Sequence, residues 1–207
     1  MKPGTEGRSE IRGIYLVLLS VAGMVLSFAS SAGRQIEWLQ PDVLFGLYGA
    51  LPILYWIGIA ITAVSLLLGL RSKNEWVFSV QFLVLYVTLW SAPALFERYP
   101  SVWDSYMHFF SVQSVAQTGS SLAQGALSYT ANYPGFFVVN GVFVLLGNPP
   151  VLGFLSFYPV VVSAITFVAL YLFVRTYVSG LDFRLAMIIC ALANVWVQFS
   201  FSPQSLG

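Results

Sequence analysis

Pro150-Val-Leu-Gly-Phe-Leu-Ser-Phe-Tyr-Pro-Val-Val-Val-Ser-Ala-Ile-Thr-Phe-Val-Ala-Leu-Tyr-Leu-Phe-Val174 carries no formal charge and ends against Arg175. About 20 consecutive apolar residues let a helix cross roughly 30 Å of hydrocarbon. This stretch is long enough, and it sets the class of the protein. Four further runs read the same way: 13–33, 46–70, 76–96 and the shorter 185–201. The chain is 58% hydrophobic and 8% charged, against roughly 25% charged in soluble domains. So little polar surface cannot cover a water-soluble domain of this length. The expected fold is all-α, a polytopic transmembrane helix bundle in contact with the lipid bilayer. The 17 Phe, 11 Tyr and 6 Trp suit a chain anchored by rings at the headgroups.

Charge gives the orientation. Lys2, Arg8 and Arg12 precede the first run, Arg71 and Lys73 separate the second from the third, and Arg175 and Arg184 separate the fourth from the fifth. With those three groups on the cytoplasmic side, only Arg34 and Arg98 of the 9 basic residues lie outside. The expectation is an integral plasma-membrane protein with a cytoplasmic N-terminus and an external loop over 97–149. The small residues Ala29 to Gly33 would suit a signal-peptide end, but the length of the first run favours an uncleaved anchor. No basic stripe is present, which argues against nucleic acid. A single cysteine, Cys190, forms no intrachain disulfide.

The segment 133–148 is apolar but short. A crossing there would carry Arg175 to the outside and spoil the charge pattern, so it reads as a helix on or dipping into the outer face. Pro149-Pro150 then stop it. Two parts are expected: an N-terminal hairpin over 1–75, and a module over 76–207 that contains the external loop. The turn Arg71-Ser72-Lys73-Asn74 is tight and cytoplasmic, and the second half of the loop, from Gln117 to Asn132, is polar and small. The C-terminal end follows a span with no closing element, so the chain reads as the N-terminal portion of a longer protein.

Within the loop, Glu97-Arg-Tyr-Pro-Ser-Val-Trp-Asp104-Ser-Tyr-Met-His108 holds the only histidine. From Ser105 to Val174 no Asp, Glu, Lys or Arg occurs. A helix over 103–117 places Asp104, His108 and Ser111 in one stripe, with Tyr106, Phe109 and Phe110 on the other side. A carboxylate at a poorly solvated surface has a raised pKa and can take a proton from a hydroxyl or amide. His108 could orient that carboxylate or, when protonated, bind phosphate. Asp104 and His108 could share a divalent metal, although two ligands do not identify one. Arg98 could pair with a diphosphate or with Glu97. Plainer readings stand beside these: Asp104 as a first-turn charge favoured by the helix dipole, His108 as a polar interface residue, and Tyr133-Pro134-Gly135 as a turn into a helix.

These residues together resemble the N-terminal part of GT-C-type membrane glycosyltransferases. That group includes protein mannosyltransferases, aminoarabinose transferases and oligosaccharyltransferase catalytic subunits, and the likeness points to an archaeal or bacterial member. The resemblance runs over 76–207 and rests on an apolar run, Trp-Asp-Ser-Tyr-x-x-His, a polar stretch, Tyr-Pro-Gly before a short apolar helix, and a run ending in Tyr-Leu-Phe-Val-Arg. It implies transfer of a sugar from a polyprenyl-phosphate-linked donor to an acceptor at the external face. Asp104 matches the family's first-loop acidic residue, His108 a polar residue one turn on, and Tyr133 and Pro134 the start of its Pro-containing motif. The implied roles are catalytic for Asp104 and substrate-binding for Arg98, His108, Tyr133 and Pro134. No cofactor follows with certainty, and a divalent metal stays open. The chain departs from the family pattern in having Ser105 and Tyr106 where many members carry a second acid, and Pro134-Gly135 in place of Pro-Pro. A non-catalytic membrane scaffold or assembly subunit is the alternative. A transporter is a further one, against which stands the lack of Asp, Glu, Lys or Arg at mid-depth in the runs.

Overall fold

The computed structural model describes residues 5–33, 35–36, 47–72, 74–100, 103–119 and 133–193. Among them the chain is all-helical: α1 (Thr5–Ala29), α2 (Leu47–Ala50), α3 (Ile53–Gly69), α4 (Glu75–Trp90), α5 (Ala92–Phe96), α6 (Trp103–Thr118), α7 (Pro134–Gly147), α8 (Val151–Tyr177) and α9 (Gly180–Ala193). The only extended pairing described is one parallel bridge, Ile36 with Glu97.

Two helices are long and apolar enough to cross a membrane: α1 from Glu10, and α8. The other expected runs come out shorter, for local reasons. Pro52 has no N–H to donate and pushes its predecessor out of the helical region, so the run 46–70 divides into α2 and α3. The run 76–96 divides at Ser91, because Pro93 at the start of α5 cannot donate to Leu89 O. Tyrosines serve the carbonyls of that break. The Tyr48 hydroxyl donates to Leu89 O at 3.3 Å, and the Tyr55 hydroxyl to Thr88 O at 3.0 Å. α7 ends one step earlier than its prolines require. Asn148 adopts a left-handed conformation (φ 37°) and donates its N–H to Val144 O at 2.9 Å. The fifth run is described only as far as 193; the rest of 185–201 and the polar stretch 120–132 lie outside the described residues.

The chain forms two compact units. Unit 1 comprises Met1–Arg98 and Ser163–Val195, and unit 2 comprises Tyr99–Val162 and Trp196–Gly207. α4 thus groups with α1 and α3, and α8 gives its first half to unit 2 and its second half to unit 1.

The seam between α1 and α3 in unit 1 is small and polar, while bulky side chains such as Phe78, Phe96 and Phe183 fill the rest of the unit's interior. Along α1 the buried positions are Gly13, Ser20, Gly23 and Ser27; along α3 they include Gly58, Thr62, Ser65 and Gly69. Gly23 and Gly58 face each other so closely that a Cβ on Gly23 would stand 2.6 Å from Gly58 O, and one on Gly58 2.8 Å from Ser27 N. Hydroxyls stitch the contact. Ser27 Oγ donates to Tyr55 O at 3.0 Å, Thr62 Oγ1 to Ser20 O at 3.2 Å, and Ser65 Oγ to Leu16 O at 2.6 Å. Gln81 of α4, fully buried, donates through Nε2 to Ser65 O and Ser65 Oγ, both at 2.7 Å. Meanwhile Ile11, Ile14, Leu18, Val25, Ile53, Ile57, Val64 and Leu67 are exposed. A small, polar helix seam beneath large aliphatic outer faces is an arrangement that helices take when the surroundings are as apolar as leucine. Water would select the reverse.

Candidate functional site

α6 and α7 pack side by side in unit 2. The bounds of α6 agree with the helix expected over 103–117 to within a residue at its C-terminal end. Its buried face is Ser105, Phe109, Val112 and Val115, of which the last three meet Phe136 and Phe137 of α7 and Leu155 of α8 in one cluster. Gly141 brings the two helices together. A Cβ there would meet Val115 Cγ1 at 3.5 Å and Val112 O at 3.7 Å. Phe109 and Phe110 lie on the side of α6 opposite Asp104, but only Phe109 is buried; Phe110 is 61% exposed. A step of 100° separates neighbours on a helix, and α7 covers only one of the two.

Asp104 is exposed, in the first turn of α6. His108, one turn on, is half-buried, its ring 6.0 Å from that of Phe137 and 6.3 Å from that of Phe136. Burial beside those rings lowers the His108 pKa, and the Asp104 carboxylate partly offsets this. The imidazole is therefore a neutral hydrogen-bonding group around pH 7, and the phosphate-binding imidazolium is disfavoured there. Ser111 turns away, its Oγ donating to Met107 O at 3.1 Å. Tyr133 is 40% exposed immediately before α7, and Pro134 opens that helix at its first position, where the missing N–H costs nothing.

Asp104, His108, Tyr133 and Pro134 thus belong to unit 2. Arg98 belongs to unit 1, where its N–H donates to Ile36 O at 3.2 Å. Among the described residues no three His, Cys, Asp or Glu side chains come together, so Asp104 and His108 gain no further metal ligand there. A cavity of about 270 Å³ lies elsewhere, in unit 1, lined by Ala29, Ser30, Ala32, Pro52, Ile53 and Leu54. None of the candidate residues lines it.

Sequence reasoning missed Phe136 and Phe137 as the wall behind His108. Their position directly after Tyr-Pro-Gly, four residues before Asn140, was the available signal. It also missed the polar cluster of Glu75, Arg175 and Arg184, treating the two arginines only as charges to be counted and passing over Glu75. No protein-family model matches the chain, and no curated protein or solved structure was found to be similar to it.

Proposed function

We propose that the chain is a polytopic membrane protein, and that it belongs to a glycosyltransferase moving a sugar from a polyprenyl-phosphate-linked donor to an acceptor at the external face. Support for the membrane setting comes from the two long apolar helices among the described residues and from the exposed aliphatic faces of α1 and α3 around their small, polar seam. The three basic groups favour a cytoplasmic N-terminus and an external loop over 97–149, with α6 and α7 along the outer face.

One observation carries the catalytic part. The sole acid between Arg98 and Val174 stands exposed on α6, one turn from a half-buried neutral imidazole backed by two phenyl rings. In the proposed step the Asp104 carboxylate accepts the proton of the acceptor hydroxyl or amide. The acceptor atom bonds to the anomeric carbon, and the bond from that carbon to the phosphate oxygen breaks. The lipid phosphate leaves with the electron pair. His108 holds the carboxylate or the acceptor by a hydrogen bond, and Tyr133 borders the same unit. Arg98 keeps the phosphate-binding role that the resemblance implies for it.

The test is transfer from a radiolabelled polyprenyl-phosphate sugar in proteoliposomes. Asp104→Asn should lower turnover by roughly 10²-fold or more, the scale of general-base loss, with protein in the membrane unchanged. Equal turnover would sink the assignment. A second reading, a non-catalytic scaffold, draws on the place of Asp104 in the first turn of α6, where a carboxylate is stabilised by the helix dipole alone. It predicts the same protein level and no transfer by either form.

A further inference from the structure

A cluster of charged groups sits at one end of unit 1. Glu75 opens α4, Arg175 lies in the last turn of α8, and Gly180 begins α9. One carboxylate oxygen of Glu75 accepts the Gly180 N–H at 2.8 Å, and the other pairs with Arg175. The Arg175 guanidinium also lies 5.7 Å from the ring centre of Phe183. Arg184, 5% exposed, reaches the opposite way and donates to Leu70 O and Ser72 O at the C-terminal end of α3.

Each contact serves a helix end. The carboxylate satisfies an amide that the first turn of α9 cannot bond internally, and the guanidinium satisfies carbonyls left over by α3. Exchange is reciprocal: α4 caps α9, and α9 caps α3. Packing nearby is of another kind. α1, α3 and α4 approach one another closely, whereas α8 and α9 make no comparably close backbone approach to them among the described residues. They touch through rings, Phe82 with Phe167 at 5.5 Å and Phe78 with Phe183 at 6.3 Å.

We propose that Glu75 is the keystone of a latch holding the α8–α9 turn onto the α3–α4 turn, and that breaking it loosens the α8–α9 turn, with Arg184 still tethering α9 to α3, while the α1/α3/α4 bundle stays closed. The latch is poised to open because its ion pair is only partly buried, and because α8 and α9 meet α4 through ring contacts without the close backbone approach that joins α1 to α3. It stands independently of the proposed catalysis.

Hydrogen–deuterium exchange of the whole protein in lipid nanodiscs tests this, read on peptides over 70–75, 178–184 and 53–69. Glu75→Ala should speed exchange in 178–184 by about tenfold, as expected when a charge-assisted hydrogen bond at a helix end is lost. Exchange in 53–69 should stay as it was. Arg175→Gln, which leaves the Glu75–Gly180 bond in place, should give a smaller rise confined to 178–184. It carries the test if the Glu75 variant does not accumulate. Exchange in 178–184 that matches the wild type would overturn the proposal. So would an equal rise in all three peptides, which means general loosening and no latch.

Discussion

Gly58→Ala is the sharpest structural perturbation available. The new Cβ would meet Ser27 Oγ, Gly23 O and Ser27 N, the last at 2.8 Å. Two of these three atoms are backbone, so no rotamer change can relieve the contact and α1 must move away from α3. Overpacking of this kind costs about 1–3 kcal/mol. The displacement also strains three interhelical hydrogen bonds, those of Ser27, Thr62 and Ser65. At about 0.6 kcal/mol each in a membrane, their loss adds roughly 2 kcal/mol. Alanine's better helix propensity returns at most about 1 kcal/mol. The clash therefore wins, and the net destabilisation should be roughly 2–4 kcal/mol. Detergent-titration unfolding followed by circular dichroism measures it. Gly153→Ala is the control: a Cβ there meets nothing within 4 Å, so that variant should match or slightly exceed the wild type. If Gly58→Ala unfolded within about 0.5 kcal/mol of the wild type, the close α1–α3 seam would be refuted.

Two further outcomes follow from unit 2. Folding favours neutral His108, so its contribution to stability is complete above the unfolded value of about 6.5 and declines as pH falls through it toward the lowered folded value. Melting curves between pH 7.5 and 5.5 should show that decline, flattened in His108→Gln and steepened in Asp104→Asn, where the offsetting carboxylate charge is gone. At the α6–α7 crossing, Gly141→Ala should be tolerated because its Cβ finds ordinary contact distances. Gly141→Leu should prise the helices apart and cost about 1–3 kcal/mol in the same unfolding assay.

The sequence revealed some of these features and hid others for a physical reason. α6 and α7 were visible because turn chemistry bounds them: Pro134 opens α7, and Gly119, with φ 68°, closes α6. The breaks at Pro52 and Pro93 were equally written in the residues, though a hydropathy window averages across them. The seam Ser20, Gly23, Ser27 against Gly58, Thr62, Ser65 was not found by looking for an apolar stripe. When both faces of a helix meet apolar surroundings, size and not polarity separates inside from outside. Asp104 and His108 fell one turn apart as their spacing required. The phenyl wall behind His108 depends on how α7 docks on α6, which no local pattern encodes. Glu75 and Arg175 are 100 positions apart in the chain, and only the tertiary fold makes them partners.

Sidedness is the most direct test of the central claim, a membrane bundle whose candidate site faces outward. In a Cys190→Ser background, Asp104→Cys and Ser72→Cys are each treated with a membrane-impermeant maleimide on sealed right-side-out vesicles, then again after permeabilisation. The account predicts labelling at position 104 in sealed vesicles and at position 72 only after permeabilisation. Labelling of both positions in sealed vesicles, or of position 72 alone, would contradict it.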